Sequence, residues 1–162
     1  MIEALHPVAA RIAAALLARG DTVAVADGAS GGLISAALLT VPGALGFYVG
    51  GGVVYSLRSR EVLFGLERAA FRGMRSASAD YALLQARAIR DNLGADWGLA
   101  ETGAAGGSAH PLGVGSGISV AAVVGPGVEL TCRTETGSDA RIGNIEAFAV
   151  AALGLLERAL AG

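Results

Sequence analysis

The chain has 162 residues, of which 53% are hydrophobic and 16% charged, with a net charge of −2. That length suits one domain, and so apolar a composition fills a core and excludes disorder, which needs low hydrophobicity and high charge. A lone cysteine, Cys132, excludes an intramolecular disulfide and a cysteine metal cluster, and the absence of any basic cluster argues against nucleic acid as the main partner.

The first predicted element is an alanine-rich helix over Met1 to Gly20. Pro7 suits its first turn, where a missing N–H costs nothing. Val8, Ile12, Ala15 and Leu16 recur at helical spacing until Gly20 ends it. Glu3 stands where an export signal would carry positive charge, and Arg11 interrupts the apolar stretch, so no signal is read and the cytoplasm is the expected address. Thr22 to Ala26 follows as a short strand, then a tight loop, Asp27 to Gly32, and a helix over Leu33 to Leu39. A second strand is expected over Leu45 to Leu57, loosened by Gly50-Gly-Gly52, then a short helix over Arg58 to Leu66. Ser76 or Ser78 caps a longer helix from Ala79 to Leu93, with Gly94 as its stop.

Asp96 to Thr102 reads as a third strand, and Gly103 to Gly117 as a glycine-rich loop. Strands Ile118 to Val124 and Val128 to Thr134 flank the turn Gly125-Pro-Gly127 as a hairpin. A helix from Asp139 to Leu160 closes the chain. Its apolar stretch, Ala147 to Leu156, falls well short of the roughly 18–20 residues that span a membrane. Helices alternate with strands first and a hairpin comes late. That order predicts an α/β fold, a three-layer α/β/α sandwich on a mixed β-sheet, in a single domain over residues 1–162.

The strongest local feature is Ala26-Asp-Gly-Ala-Ser-Gly-Gly-Leu-Ile34, a strand, a glycine turn and a helix start. Free N–H groups at such a turn attract phosphate or carboxylate, and open α/β sheets hold ligands beyond the carboxyl ends of their strands. The plainer reading makes Ser30 a helix cap and the glycines turn formers. A second glycine loop, from Thr102 to Ser116, follows the third strand and could fold over a ligand held by the first; its plain alternative is a mobile surface loop. His110 within it titrates near neutrality in principle. Arg58 and Arg60, on the turn after Tyr55-Ser56, form either a phosphate clamp or a solvated face. Trp97 is expected in the core, and Cys132 as a small apolar filler on a strand. All twelve basic residues are arginines. A guanidinium does not surrender its proton, so no side-chain amine is available as a base.

The run from Ala26 resembles the Ala-Glu-Ser-Cys-Thr-Gly-Gly-Leu-Ile signature of the C-terminal domain of the CinA (competence/damage-inducible) family. Val41-Pro-Gly-Ala44, Gly51-Gly-Val-Val-Tyr-Ser56, and Gly94-Ala-Asp-Trp-Gly-Leu-Ala with Thr102-Gly103 behind it resemble further family segments in the same order. The resemblance runs from about Asp21 to the C-terminus, and it implies the same three-layer fold. It also implies a nicotinamide-nucleotide amidohydrolase, which releases ammonia without a metal or cofactor, using a serine activated by a lysine with a tyrosine nearby.

Carried over position by position, that machinery is incomplete. The signature serine falls on Gly28 and the lysine on Arg60, while Tyr55 and Ser56 are kept. Asp27 stands for the glutamate and Ser30 for the threonine. The Gly-Ile-Ala-Gly-Pro loop becomes Gly103-Ala-Ala-Gly106, and a Gly-Asp-Arg motif is echoed faintly by Gly137-Ser-Asp-Ala-Arg141. Three readings follow. One is a family member without efficient amidase activity that keeps a pocket for a pyridine nucleotide or other small phosphate-bearing molecule, through Gly31, Gly32, Arg60, Thr102, Gly103 and Gly106. Another is a rewired hydrolase with Ser30 as nucleophile and Asp27 or His110 assisting, beside Tyr55. The third is a structural or interaction role for a homo-oligomer, since high hydrophobicity at this size favours self-association. None requires a metal, a nucleic acid or a membrane.

Overall fold

In the computed structural model, which describes residues Met1–Gly162, Val23 and Val25 of the first strand face one side of a sheet while Ala24 and Ala26 face the other. That period-two alternation divides the core into two buried layers. The sheet contains β1 (Val23–Asp27), β2 (Tyr48–Val53), β3 (Trp97–Ala104), β4 (Ile118–Gly125) and β5 (Val128–Glu135), in the order β2-β1-β3-β4-β5. β1 pairs in parallel with β2 and β3, whereas β3–β4 and β4–β5 are antiparallel. The expected mixed sheet and its three layers are both present.

Helices α1 (Ile2–Arg19), α2 (Leu33–Leu39) and α5 (Arg141–Ala161) cover the valine side, with Leu16, Leu38, Leu153 and Trp97 among the fully buried residues. α3 (Leu57–Phe64) and α4 (Ala79–Leu93) cover the alanine side. Small strand residues let α4 approach closely: a Cβ on Gly98 would meet the Ala86 carbonyl oxygen at 2.1 Å. No helix is long and apolar enough to cross a membrane.

The α2 and α4 boundaries are those the sequence predicts. Ser78 caps α4 by accepting from the Tyr81 N–H, and Gly94 ends it in the left-handed conformation. Two expectations are corrected. Pro7 lies in the second turn of α1, because the helix begins at Ile2, so the bond to the Glu3 carbonyl is forgone. The second strand is shorter than Leu45 to Leu57. Ala44–Gly46 forms a 3₁₀ turn before it, and Ser56 turns the chain into α3 by accepting from the Ser59 N–H. Gly51 serves close packing, since a Cβ there would sit 2.2 Å from the Val25 carbonyl oxygen.

Candidate functional site

β1 enters α2 across one face of the sheet, and β2 returns through α3 and α4 across the other. Strand order therefore reverses direction about β1, and a crevice opens beyond the carboxyl ends of β1 and β3. A cavity of about 440 Å³ occupies it. Gly28 and Ala29 after β1, Tyr55 and Ser56 after β2, and Thr102 to Gly106 at the end of β3 form its walls. Both glycine loops thus meet at one cavity, the second bringing His110 to its rim.

The first loop is held from beneath by a residue that the motif reading missed. Glu101, 1% exposed, accepts from the Gly28 N–H (3.3 Å) and the Ser30 N–H (2.8 Å) through one oxygen, and from the Ser119 hydroxyl (2.5 Å) through the other. Burial is the main cause that pushes its carboxyl above the ordinary glutamate range, and Asp27 nearby adds to it. An acid in the middle of the otherwise neutral strand Trp97–Ala104 was a visible signal. What it would bind was not.

Asp27 caps α2, so Ser30 does not. Asp27 accepts from the Ile34 and Ser35 N–H groups at 3.0 and 3.2 Å, and from the Ser35 and Ser30 hydroxyls at 2.6 and 2.9 Å. The Ser30 hydroxyl is therefore beside Asp27, but Ser30 is 0% exposed and does not border the cavity. Nor do Gly31 and Gly32, which take left-handed conformations in the turn. No hydrogen bond joins His110 to Ser30. His110 Nδ1 accepts from the Leu112 N–H at 3.1 Å, which leaves the proton of the neutral ring on Nε2. Burial lowers its pKa, favouring that neutral form.

Arg58 and Arg60 part company on α3, Arg58 exposed and Arg60 only 7% exposed. The Arg60 guanidinium lies 3.9 Å from the centre of the Phe71 ring and donates to the Tyr81 hydroxyl at 2.8 Å. Its Nε is buried without a hydrogen-bond partner. No carboxylate lines the cavity, and Arg60 forms no ion pair. A desolvated cation without a counter-ion costs several kcal/mol, of which stacking on Phe71 returns about 1–2 kcal/mol. Phe71 and Tyr81 belong to no motif, and only folding brings them to Arg60.

A second cation stands at the rim. Arg141, the first residue of α5, donates to the Gly106 carbonyl at 2.8 Å and to the Tyr55 hydroxyl at 3.4 Å. No side chain caps the N-terminus of α5. Buried Asn144 fixes this corner by donating to the Ala105 and Ser138 carbonyls, while Asp139 accepts from the Gly107 N–H, which holds its carboxyl below the usual range. Of the expected site residues, Tyr55, Arg60, Thr102, Gly103 and Gly106 meet at the cavity, and Arg141 joins them.

The molecule is thus an α/β/α domain whose crevice lies where the strand order turns, lined by arginine and hydroxyl groups and by no acid. Residues 5–160 match the model of the CinA C-terminal domain, and the chain belongs to that family. A CinA-like protein from Gloeobacter violaceus is 33% identical over 135 residues, covering 80% of this chain and 32% of that protein. One from Prochlorococcus marinus is 36% identical over 110 residues, covering 67% of this chain and 25% of its own length. The chain spans about a third or less of the relatives it matches. Among solved structures, a CinA-superfamily protein from Klebsiella pneumoniae superposes with a TM-score of 0.87 at 25% identity, covering 97% of this chain and 98% of that one. The competence/damage-inducible protein from Agrobacterium tumefaciens gives 0.88 at 24% identity, with 98% and 96% covered, and shares the fold.

Proposed function

We propose that this chain is a CinA-family ligand-binding protein that holds a small anionic molecule of the pyridine-nucleotide class and does not hydrolyse it by a serine and base. The observation that carries the reading is Arg60, a buried guanidinium in the wall of an acid-free cavity and without an ion-pair partner. A bound anion supplies the missing counter-charge, and Arg141 with the uncapped start of α5 provides a second anion-binding corner.

Hydrolysis lacks its parts. Gly28 has no side chain, and Arg60 cannot accept a proton. Ser30 is sealed away from the cavity, and its neighbour Asp27 already accepts four hydrogen bonds. His110 presents a donor, since its other nitrogen is occupied. The test is thermal unfolding with millimolar nicotinamide mononucleotide, nicotinic acid mononucleotide or inorganic phosphate, beside an assay for released ammonia. A ligand at 100 times its Kd adds about 2.7 kcal/mol, or roughly 5–10 °C at this size. We expect such a rise with at least one nucleotide and no enzyme-like ammonia release. No shift with any of the three, or rapid turnover, refutes the reading.

Self-association is a second reading, favoured by the contrast between the two sheet edges. β5 carries Glu129, Arg133 and Glu135, exposed charges that discourage pairing, whereas the β2 edge exposes Val49 and Val53 beside Leu45, which is 93% exposed. In this assembly a second copy of the chain pairs edge to edge through β2.

A further inference from the structure

Arg60 and Arg141 offer different chemistry within the same cavity. Arg141 is exposed at the rim and already spends donors on the Gly106 carbonyl and the Tyr55 hydroxyl. Arg60 is enclosed, its guanidinium packed against the Phe71 ring and its Nη1 donating one hydrogen to the Tyr81 hydroxyl. Nε is shut off from the cavity, and Nη2 has no acceptor within the protein, so the Nη1–Nη2 end is the edge left for a ligand. A pre-oriented guanidinium is a fork of donors with no acceptor of its own. It matches a planar group that presents two oxygens.

We infer that the enclosed end of the site selects a carboxylate over the corresponding primary carboxamide, so that this protein holds the acid form of its ligand. The inference rests on the anion-binding reading above and narrows its ligand class. A carboxylate accepts at both oxygens and neutralises the buried charge. A carboxamide offers one carbonyl oxygen, and its NH₂ group would turn two further donors toward a cation that can only donate. No acid lines the cavity to take up those donors, and Arg60 has no competing counter-ion. Gln85, buried at 4% exposure and also in the lining, has an amide that serves either ligand and so does not reverse the preference.

The experiment is calorimetric titration of the chain with nicotinic acid mononucleotide and with nicotinamide mononucleotide, a pair that differs only in this group. The acid is expected to bind about 10- to 100-fold more tightly, the loss associated with one charge-assisted hydrogen bond. Arg60→Gln should remove most of that ratio by weakening the acid, with the amide nearly unchanged. Arg60→Lys, which keeps the charge but not the fork, should retain part of it. Arg141→Gln should weaken both nucleotides alike and leave the ratio standing, because both carry the same phosphate. Equal affinities, or a tighter amide, overturn this inference while leaving the anion-binding reading intact. A ratio that persists in folded Arg60→Gln overturns it as well. If neither nucleotide nor phosphate binds, the anion-binding reading falls and takes this one with it. Should either Arg60 variant fail to fold by circular dichroism, the wild-type ratio together with Arg141→Gln decides.

Discussion

Gly28 lies so close to β3 that an added Cβ would sit 2.2 Å from the Glu101 carbonyl oxygen, a backbone atom that no rotamer change can move. Restoring the serine of the family signature is therefore expected to strain the β1–β3 seam rather than supply a nucleophile. Gly28→Ser should lower stability by about 1–3 kcal/mol, and Gly28→Ser with Arg60→Lys should still release no ammonia at an enzyme-like rate. Thermal denaturation and the ammonia assay check the two halves separately. The sequence already showed that a side chain was missing at position 28. It could not show that the backbone had closed over the place.

Glu101 holds the same seam from below, and its protonation is linked to folding. Its folded-state pKa is raised, so the native state keeps the proton longer than the unfolded chain does. The stability it contributes is full below the ordinary glutamate value and is lost as pH rises through the folded-state value. In its protonated form Glu101 can donate to Ser119, whose hydroxyl then turns to the Thr102 carbonyl 3.3 Å away. Glutamine reproduces that neutral arrangement, its carbonyl accepting from Gly28 and Ser30. Glu101→Gln is expected to fold and to lose this fall in stability above about pH 4–5. Denaturant midpoints of the two proteins across pH 4–8 compare them; parallel curves would show that Glu101 is not the group responsible.

At the scale of elements, the start of α2 depends on a carboxylate at the end of β1. Asp27 accepts four hydrogen bonds there and Ser30 supplies only one of them. Asp27→Ala should cost on the order of 3 kcal/mol and Ser30→Ala only about 1 kcal/mol. Ser30→Ala should also leave nucleotide binding unchanged. Chemical denaturation with a binding titration tests both, and equal losses would show that the cap is not centred on Asp27. The pattern Asp27-Gly-Ala-Ser-Gly-Gly32 announced a turn into a helix, and α2 begins where the pattern places it. Which side chain would cap that helix was not legible. Both Asp27 and Ser30 are suitable acceptors, and the choice follows from the path of the glycine turn between them.

For the whole molecule, the contrast between the β2 and β5 edges sets the expectation for assembly. If a second copy pairs along β2, a charge placed on that edge should break the pairing without touching the core. Val49→Lys is expected to shift the mass measured by light scattering from dimer to monomer, with the melting transition little changed at high dilution. A wild-type chain that is monomeric at high concentration excludes this mode of assembly.

Periodicity and breakers alone determined the succession of helices and strands, because local backbone preferences and apolar spacing act within a few residues. Composition determined that no lysine amine exists, and the ordered motifs from Ala26 to Gly103 already resembled one family. Tertiary structure decided which of these residues the cavity sees. Arg58 and Arg60 differ by roughly 200° around a helix, so one must face away from the other, yet only Phe71 and Tyr81 from other elements determine which is enclosed. Glu101 beneath the loop and Ser30 sealed behind it follow from the pairing of β1 with β3. Burial is a property of the assembled layers, and no stretch of chain carries it by itself.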